Sequence, residues 1–172
     1  RAARALALNR ERTAENSSTV ISSDLLGNSV GTTVSEALRR APGISFQQDD
    51  LSGDGTNVIV RGLSPDYNQV KLNGVALTEA TGTGRAADLS AVLADSISEI
   101  VINKTLLPSQ DSAGTGGLIE IETRSPLDRA RRYAKVSVEG TRRGEGFGDG
   151  VLASAVVSGK FGEAERFGLS AS

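Results

Sequence analysis

Cysteine and histidine are both missing from the 172 residues. Without cysteine the chain has no disulfides and no thiolate metal sites, a composition compatible with an oxidising compartment. Without histidine it lacks the commonest general base and the commonest metal ligand. Aromatic residues make up only 3%, which is lean for a packed enzyme core. No apolar run approaches the roughly 20 residues of a membrane-crossing helix. No signal peptide is visible either, so an exported protein would be represented here in mature or trimmed form. Lys and Arg number 19 against 21 Asp and Glu, for a net charge of −2. That balance removes the basic signature of a general nucleic-acid binder.

Catalysis is left with a Ser–Lys pair or a pair of carboxylates. Ser109 lies near Lys104 in sequence, and Glu120 and Glu122 share one face of a strand, but neither pair sits in a motif. Alternating carboxylates on a strand are ordinarily a solvated face, so the chain is not expected to be an enzyme, and no cofactor is implied. Asp50 to Thr56 resembles the opening of a calcium loop with Gly55 at the sixth position. Its twelfth position is Arg61, where calcium needs a bidentate Glu. Gly82-Thr83-Gly84-Arg85-Ala86-Ala87 matches the dinucleotide fingerprint in form only, since no βαβ unit surrounds it.

What the chain does have is glycine, 20 residues of it, and many short alternating segments. Residues 1–16 mix Arg, Ala, Asn and Glu without a sustained period and are expected to be an extended or partly disordered arm, a short helix being the lesser alternative. A strand at Thr19–Ser22 and an acid-capped helical turn at Asp24–Gly27 follow. Thr33-Val34-Ser35-Glu36 fits a capping box opening a helix through Arg40, which Pro42-Gly43 ends. Strands are expected from Ile44, over Val58–Arg61 and over Val70–Leu72, with Asn73-Gly74 a strong hairpin signal leading into Val75–Leu77. Asp88 is expected to cap a short helix through Leu89, Val92 and Leu93.

The most informative stretch is Ile97 to Arg124. Ile97–Lys104 reads as a strand, and Leu118, Ile119, Ile121 and Thr123 build another. Between them Gly114, Gly116 and Gly117 let the chain turn sharply or pass close to another backbone. Beyond a charged link at Ser125–Arg132 the texture changes. Ala134–Gly140 alternates strictly, with Ala, Val, Val and Gly on one face and Lys, Ser and Glu on the other. Val151–Phe161 has Val151, Ala153, Ala155, Val157, Gly159 and Phe161 on an apolar face and Ser154, Ser158 and Lys160 opposite, and a third strand begins at Phe167. The longer of these has about the ten residues of a transmembrane β-strand, although a half-buried sandwich strand has the same pattern.

Lys104, Gly114, Gly116, Gly117, Ile119, Ile121, Thr123 and Arg124 resemble the closing segment of the plug domain of TonB-dependent outer-membrane receptors. Pro42-Gly43-Ile44, Val60-Arg61-Gly62 and Val70-Lys71-Leu72-Asn73-Gly74 match it upstream in the same order, so the resemblance covers roughly residues 33–124. Departures are Thr105 and Leu106 in place of a common Gly-Pro, and Val101 in place of a common acid.

The resemblance implies an α+β plug with a small mixed sheet and short helices over residues 19–125, after an arm at 1–18. Residues 126–172 would be a linker and the first antiparallel strands of a β-barrel in the bacterial outer membrane, lipid around them. It further implies uptake of a scarce solute, sugar or siderophore, with a slight lean to the sugar, driven by TonB with ExbB and ExbD on the periplasmic side. No TonB box is evident. Ligand-facing loops would be 47–57, 64–69 and 78–85, from which Gln48, Asp50, Tyr67, Asn68, Thr83 and Arg85 are the candidate binding residues. Arg61 and Lys104 would face the inner barrel wall and pair with acids there. The rival reading is a non-transporting periplasmic or surface interaction module, in which the last strands form a soluble hairpin.

Overall fold

The computed structural model describes residues 2–22, 33–39, 41–48, 55–78, 86–89, 92, 94–110, 114–128, 132–141, 150–162 and 166–171. In chain order the elements begin with helix α1 (Ala2–Thr13), strand β1 (Ser18–Ser22) and helix α2 (Val34–Leu38). Strands β2 (Ile44–Gln48), β3 (Gly55–Val60), β4 (Asn68–Leu72) and β5 (Val75–Leu77) follow. Next come β6 (Ile97–Asn103) and β7 (Gly117–Thr123), and finally β8 (Tyr133–Thr141), β9 (Gly150–Phe161) and β10 (Phe167–Ala171).

Five strands form a mixed sheet in the order β1-β6-β7-β4-β5, in which only β4 and β7 run parallel. Side chains along a strand alternate between faces, so β-branched residues two apart gather on one side. Register then lines up Ile21 with Ile100, Ile100 with Ile121, Ile102 with Ile119, and Ile119 with Val70. All are buried and join one core with Val34, Ala37 and Leu38 of α2 and with Val58 and Val60 of the β2–β3 hairpin. Each such aliphatic side chain contributes roughly 1.5–3 kcal/mol relative to staying exposed. The Asn73-Gly74 hairpin forms as expected, with φ of 50° and 82°, the two left-handed positions of a type I′ turn.

The arm is a correction. Residues 2–13 are helical, with Ala7 buried and Ala3 and Glu11 half-buried on the same stripe. Ala, Arg and Leu carry little helical cost, and the docked Ala stripe adds tertiary support that a search for long apolar periods misses. The capping box is corrected in part. Thr33 occupies the N-cap, but its hydroxyl lies 2.8 Å from Ser35 Oγ and makes no bond to a helical N–H. Asp88 bridges Asn57 as an isolated β-pair, and Leu89 and Val92, the described residues of the helix expected after it, are not helical, its remaining residues lying outside the described ones. One 3-10 turn at Ala94–Ser96 precedes β6. The turn expected at Asp24–Gly27 lies outside the described residues.

Strands β8, β9 and β10 form a separate antiparallel meander. Its polarity is inverted relative to a soluble sheet. Val136, Val138, Val151 and Val157 are 56–77% exposed, while Ser137, Val156 and Ser158 on the opposite face are buried. At its short turn Gly162 takes φ +87°, and the rings of Phe161 and Phe167 stack at 5.7 Å. A 3-10 turn at Pro126–Asp128 lies against β10, where a Cβ on Gly168 would stand 2.7 Å from Pro126 Cβ.

Candidate functional site: the glycine crossing and the loops around it

One end of the mixed sheet gathers the start of β4, the start of β7 and the end of β6. Across it runs the glycine stretch. Gly116 donates its N–H to Tyr67 O at 2.8 Å, and Gly117 donates to Gly114 O at 3.0 Å. A Cβ on Gly114 would stand 2.6 Å from Gly117 O and 2.8 Å from Gln69 Cβ. One on Gly116 would stand 2.6 Å from Asn68 Oδ1. Neither glycine has a left-handed φ. Of the two freedoms the sequence offered, the fold uses close approach.

Asn68 lies beneath this crossing. It is 3% exposed, and its Nδ2 donates to Val58 O at 3.0 Å. The amide therefore ties β4 to β3 from inside the protein, satisfying a carbonyl that the β2–β3 ladder does not use. Among the described residues its Oδ1 has no hydrogen-bond partner. Tyr67, one residue earlier at the end of the 3-10 turn Pro65–Tyr67, is 56% exposed. Beside it Leu63 is 42% exposed. The strand period separates the two neighbours, placing the Tyr67 ring towards solution and the Asn68 amide towards the core.

Arg61 leaves β3 in the left-handed region, with φ 52° followed by 77° at Gly62. Its N–H donates to Gly43 O at 2.9 Å, and its exposed guanidinium donates through Nη2 to Gly116 O at 3.3 Å. Arg61, Tyr67 and Asn68 are thus assembled around one glycine. Lys104 extends β6 at the same end, half-buried, with its N–H on Ser17 O at 2.8 Å. Gln48 ends β2, away from that cluster in the chain's pairing, opposite Gly55. Asp50, Thr83 and Arg85 lie outside the described residues.

Two polar ties have no counterpart among the sequence expectations. Asn16 Nδ2 donates to Asn103 Oδ1 at 3.1 Å and to Thr105 O at 2.9 Å. Asn103, 4% exposed, donates on to Glu120 Oε2 at 3.1 Å. At the opposite end of the sheet Asn73 bonds Thr123. An asparagine that ends a strand is the only local signal for either. Among the described residues no group of His, Cys, Asp or Glu could hold a metal ion.

Residues 10–118 match the family model described as the TonB-dependent Receptor Plug Domain. No curated protein matches the chain in sequence. Solved structures similar to it include the ferric citrate transporter FecA in its unliganded form, 20% identical with a TM-score of 0.69, covering 90% of this chain and 24% of that one. The ferric enterobactin receptor PfeA of Pseudomonas aeruginosa is 18% identical at a TM-score of 0.63, covering 85% and 23%. The hemophore receptor HasR of Serratia marcescens is 17% identical at 0.64, covering 87% and 23%. The chain spans about a quarter of the length of each, and at these identities the likeness is one of fold. Because the family model runs over more than half of its residues, and the crossing, the mixed sheet and the strands after them follow the same fold, this chain belongs to the family of TonB-dependent receptor plug domains.

Proposed function

We propose that the chain is the plug and first barrel strands of an outer-membrane receptor that takes up a scarce solute, a carbohydrate or an iron chelate. The observation that carries this reading is the inverted polarity of β8 and β9: Val136, Val138, Val151 and Val157 face outward, while Ser137, Ser158 and the single valine Val156 are buried on the other face. A row of apolar residues on the outer face of tilted antiparallel strands is suited to lipid, and a small, polar inner face is suited to a lumen. On this reading residues 1–18 are the N-terminal arm, 19–125 the plug and 126–172 the linker and opening strands. TonB, energised through ExbB and ExbD, would act from the periplasmic side.

Tyr67 offers an exposed ring that can stack on a sugar or an aromatic chelator, and the hydrogen-bonding groups of Gln48, at the end of β2, and of Asp50, Thr83 and Arg85 would join it in holding the solute. Asn68, buried as it is, acts by holding Tyr67 in place. Arg61 and Lys104 pair with acidic groups on the barrel wall, a polar attachment that can be released when the plug moves. The similar structures include receptors for ferric enterobactin and for a hemophore and a ferric citrate transporter, which supports a metal chelate alongside the sugar.

The test is made on the native full-length protein. Source cells are fractionated and gel mobility is compared with and without boiling. Outer-membrane location, a mass several times that of this chain and heat-modifiable mobility are expected. A soluble species near 17.8 kDa with unchanged mobility would overturn the receptor reading. Radiolabelled candidate sugars and iron chelates then assign the solute, with uptake abolished by a protonophore.

A further inference from the structure

Asn73-Gly74 is the only Asn-Gly pair in the chain. Such a pair carries its own chemistry. With no Cβ in the way, the glycine nitrogen can approach the side-chain amide carbon of the asparagine before it, and in a flexible chain that approach closes a succinimide ring. Here the pair forms the tip of the β4–β5 turn, and both residues are exposed to water.

Three hydrogen bonds hold the Asn73 amide elsewhere. Its Oδ1 accepts the Thr123 N–H at 2.9 Å and the Thr123 hydroxyl at 3.1 Å, and its Nδ2 donates to Thr123 Oγ1 at 2.9 Å. The backbone is pinned on the same side, where the Asn73 N–H donates to Ile121 O at 2.9 Å. All of these partners belong to β7, whereas Gly74 carries the chain the other way, towards β5 on the far side of β4. The clasp therefore keeps the amide carbon turned from the nitrogen that would attack it. Among the described residues no backbone hydrogen bond engages the Gly74 N–H, so the attacking atom is already free.

We propose that Asn73 is a self-modification site of this plug and that Thr123 is the latch holding it closed. When the clasp opens, the Gly74 nitrogen loses its proton and bonds to the Asn73 side-chain carbon, and the C–N bond to Nδ2 breaks to release ammonia. Water then opens the succinimide at one or other carbonyl, giving aspartate or isoaspartate. Aspartate lacks the Nδ2 donor. Isoaspartate also adds a methylene to the main chain, which a two-residue turn with left-handed φ at both positions cannot absorb. Strand β5 is a three-residue edge, with Val75 67% exposed, paired to β4 through Leu77, Ala76 and Val75. On conversion to isoaspartate it comes away, while β4 keeps its parallel pairing with β7.

The test ages the complete protein at mildly alkaline pH and follows its tryptic peptide 72–85, in which Asn73 is the only side-chain amide. Mass spectrometry reads the loss of the amide, and an isoaspartate methyltransferase serves as the probe for the rearranged product. The native parent should convert several-fold more slowly than the same protein in urea. Thr123→Val keeps the branched side chain and the backbone N–H but removes the hydroxyl that makes two of the three bonds, and should raise the rate about tenfold. Thr123→Ser should stay close to the parent. Ile102→Val, which weakens the core without touching the clasp, should also stay close and so separates the latch from general unfolding. Isoaspartate-containing protein should exchange amide hydrogens faster over 75–77 and at an unchanged rate over 118–122. The latch is overturned if the native parent converts as fast as in urea, if Thr123→Val leaves the rate unchanged or slows it, or if Ile102→Val speeds it equally. Release of β5 is overturned if residues 75–77 exchange alike before and after conversion. None of these readings depends on the chain being a receptor, so failure of that reading would be seen separately, in the fractionation experiment.

Discussion

Asn73 closes the end of the central strand by accepting the Thr123 N–H on its Oδ1 at 2.9 Å while its Nδ2 donates to Thr123 Oγ1 at 2.9 Å. The same residue sits at φ 50°, so one asparagine both turns the β4–β5 hairpin and caps β7. Asn is among the few side chains that tolerate the left-handed region. Replacing it separates the two roles. Asn73→Gly keeps the turn and loses the cap, costing about 1 kcal/mol. Asn73→Ala loses both and costs about 2–3 kcal/mol. Denaturant melts of the plug give the ranking, and equal losses would show that the cap alone matters.

Gly116 and Asn68 form a tight couple. A methyl at 116 would stand 2.6 Å from Asn68 Oδ1 and 3.1 Å from Tyr67 O. Gly116→Ala is expected to destabilise by about 1–3 kcal/mol through overpacking. Combining it with Asn68→Ala removes one of those neighbours, so the double variant should lose less than the sum of the singles. Strict additivity in a double-mutant cycle would contradict the contact.

Asn68 taken alone gives a third prediction. Asn68→Leu leaves the Val58 carbonyl without its donor in the interior, at a cost of about 1–3 kcal/mol. Asn68→Asp also lacks the donor and adds a buried charge, so it should be worse. Thermal unfolding in which Asn68→Leu loses no stability would mean this amide is not the tie.

A fourth prediction concerns Arg61. On the receptor reading, Arg61→Ala loosens the plug against the barrel wall and raises leak of small solutes. Conductance or antibiotic-sensitivity assays on cells carrying the variant measure it. Unchanged leak in a closed barrel would sink the pairing with the wall.

The outward valines give a fifth. Val138→Arg places a cation on the exposed apolar face and should lower the yield of folded barrel, by about 2–4 kcal/mol if the site lies near the bilayer midplane. A soluble sheet would tolerate the change at that exposure. Equal recovery of variant and parent from the outer membrane would therefore argue against lipid there.

Much of the fold was legible because its signals are local. Asn73-Gly74 specifies a turn in two residues, and the alternation of β8 and β9 separates their two faces without deciding which is exposed; the structure exposes Val136, Val138, Val151 and Val157 and buries Ser137 and Ser158. The glycine run was also visible, although whether it served φ or close approach depended on Tyr67, Asn68 and Gln69, more than forty positions upstream. Residues 2–13 were harder. Their helix rests on an alanine stripe docked against β1, and alanine supplies little hydrophobic contrast from which a period could be seen. Placing Tyr67 outward and Asn68 inward required the start of β4 to the residue, a precision that boundary estimates lack. As a member of the plug family the chain is not an enzyme, which accords with the sequence reading.

The strand order has a bearing on biogenesis. The centre of the mixed sheet, β7, is the last of its five strands in the chain, and Ser18 has no partner until Asn103 has been made. Only the β2–β3 and β4–β5 hairpins can close early. Loops this long are slow to close, so a nascent chain emerging N-terminus first carries the edge of β1 and the isoleucines of β6 uncovered until β7 arrives. A stall ahead of Gly117 would leave an aggregation-prone intermediate.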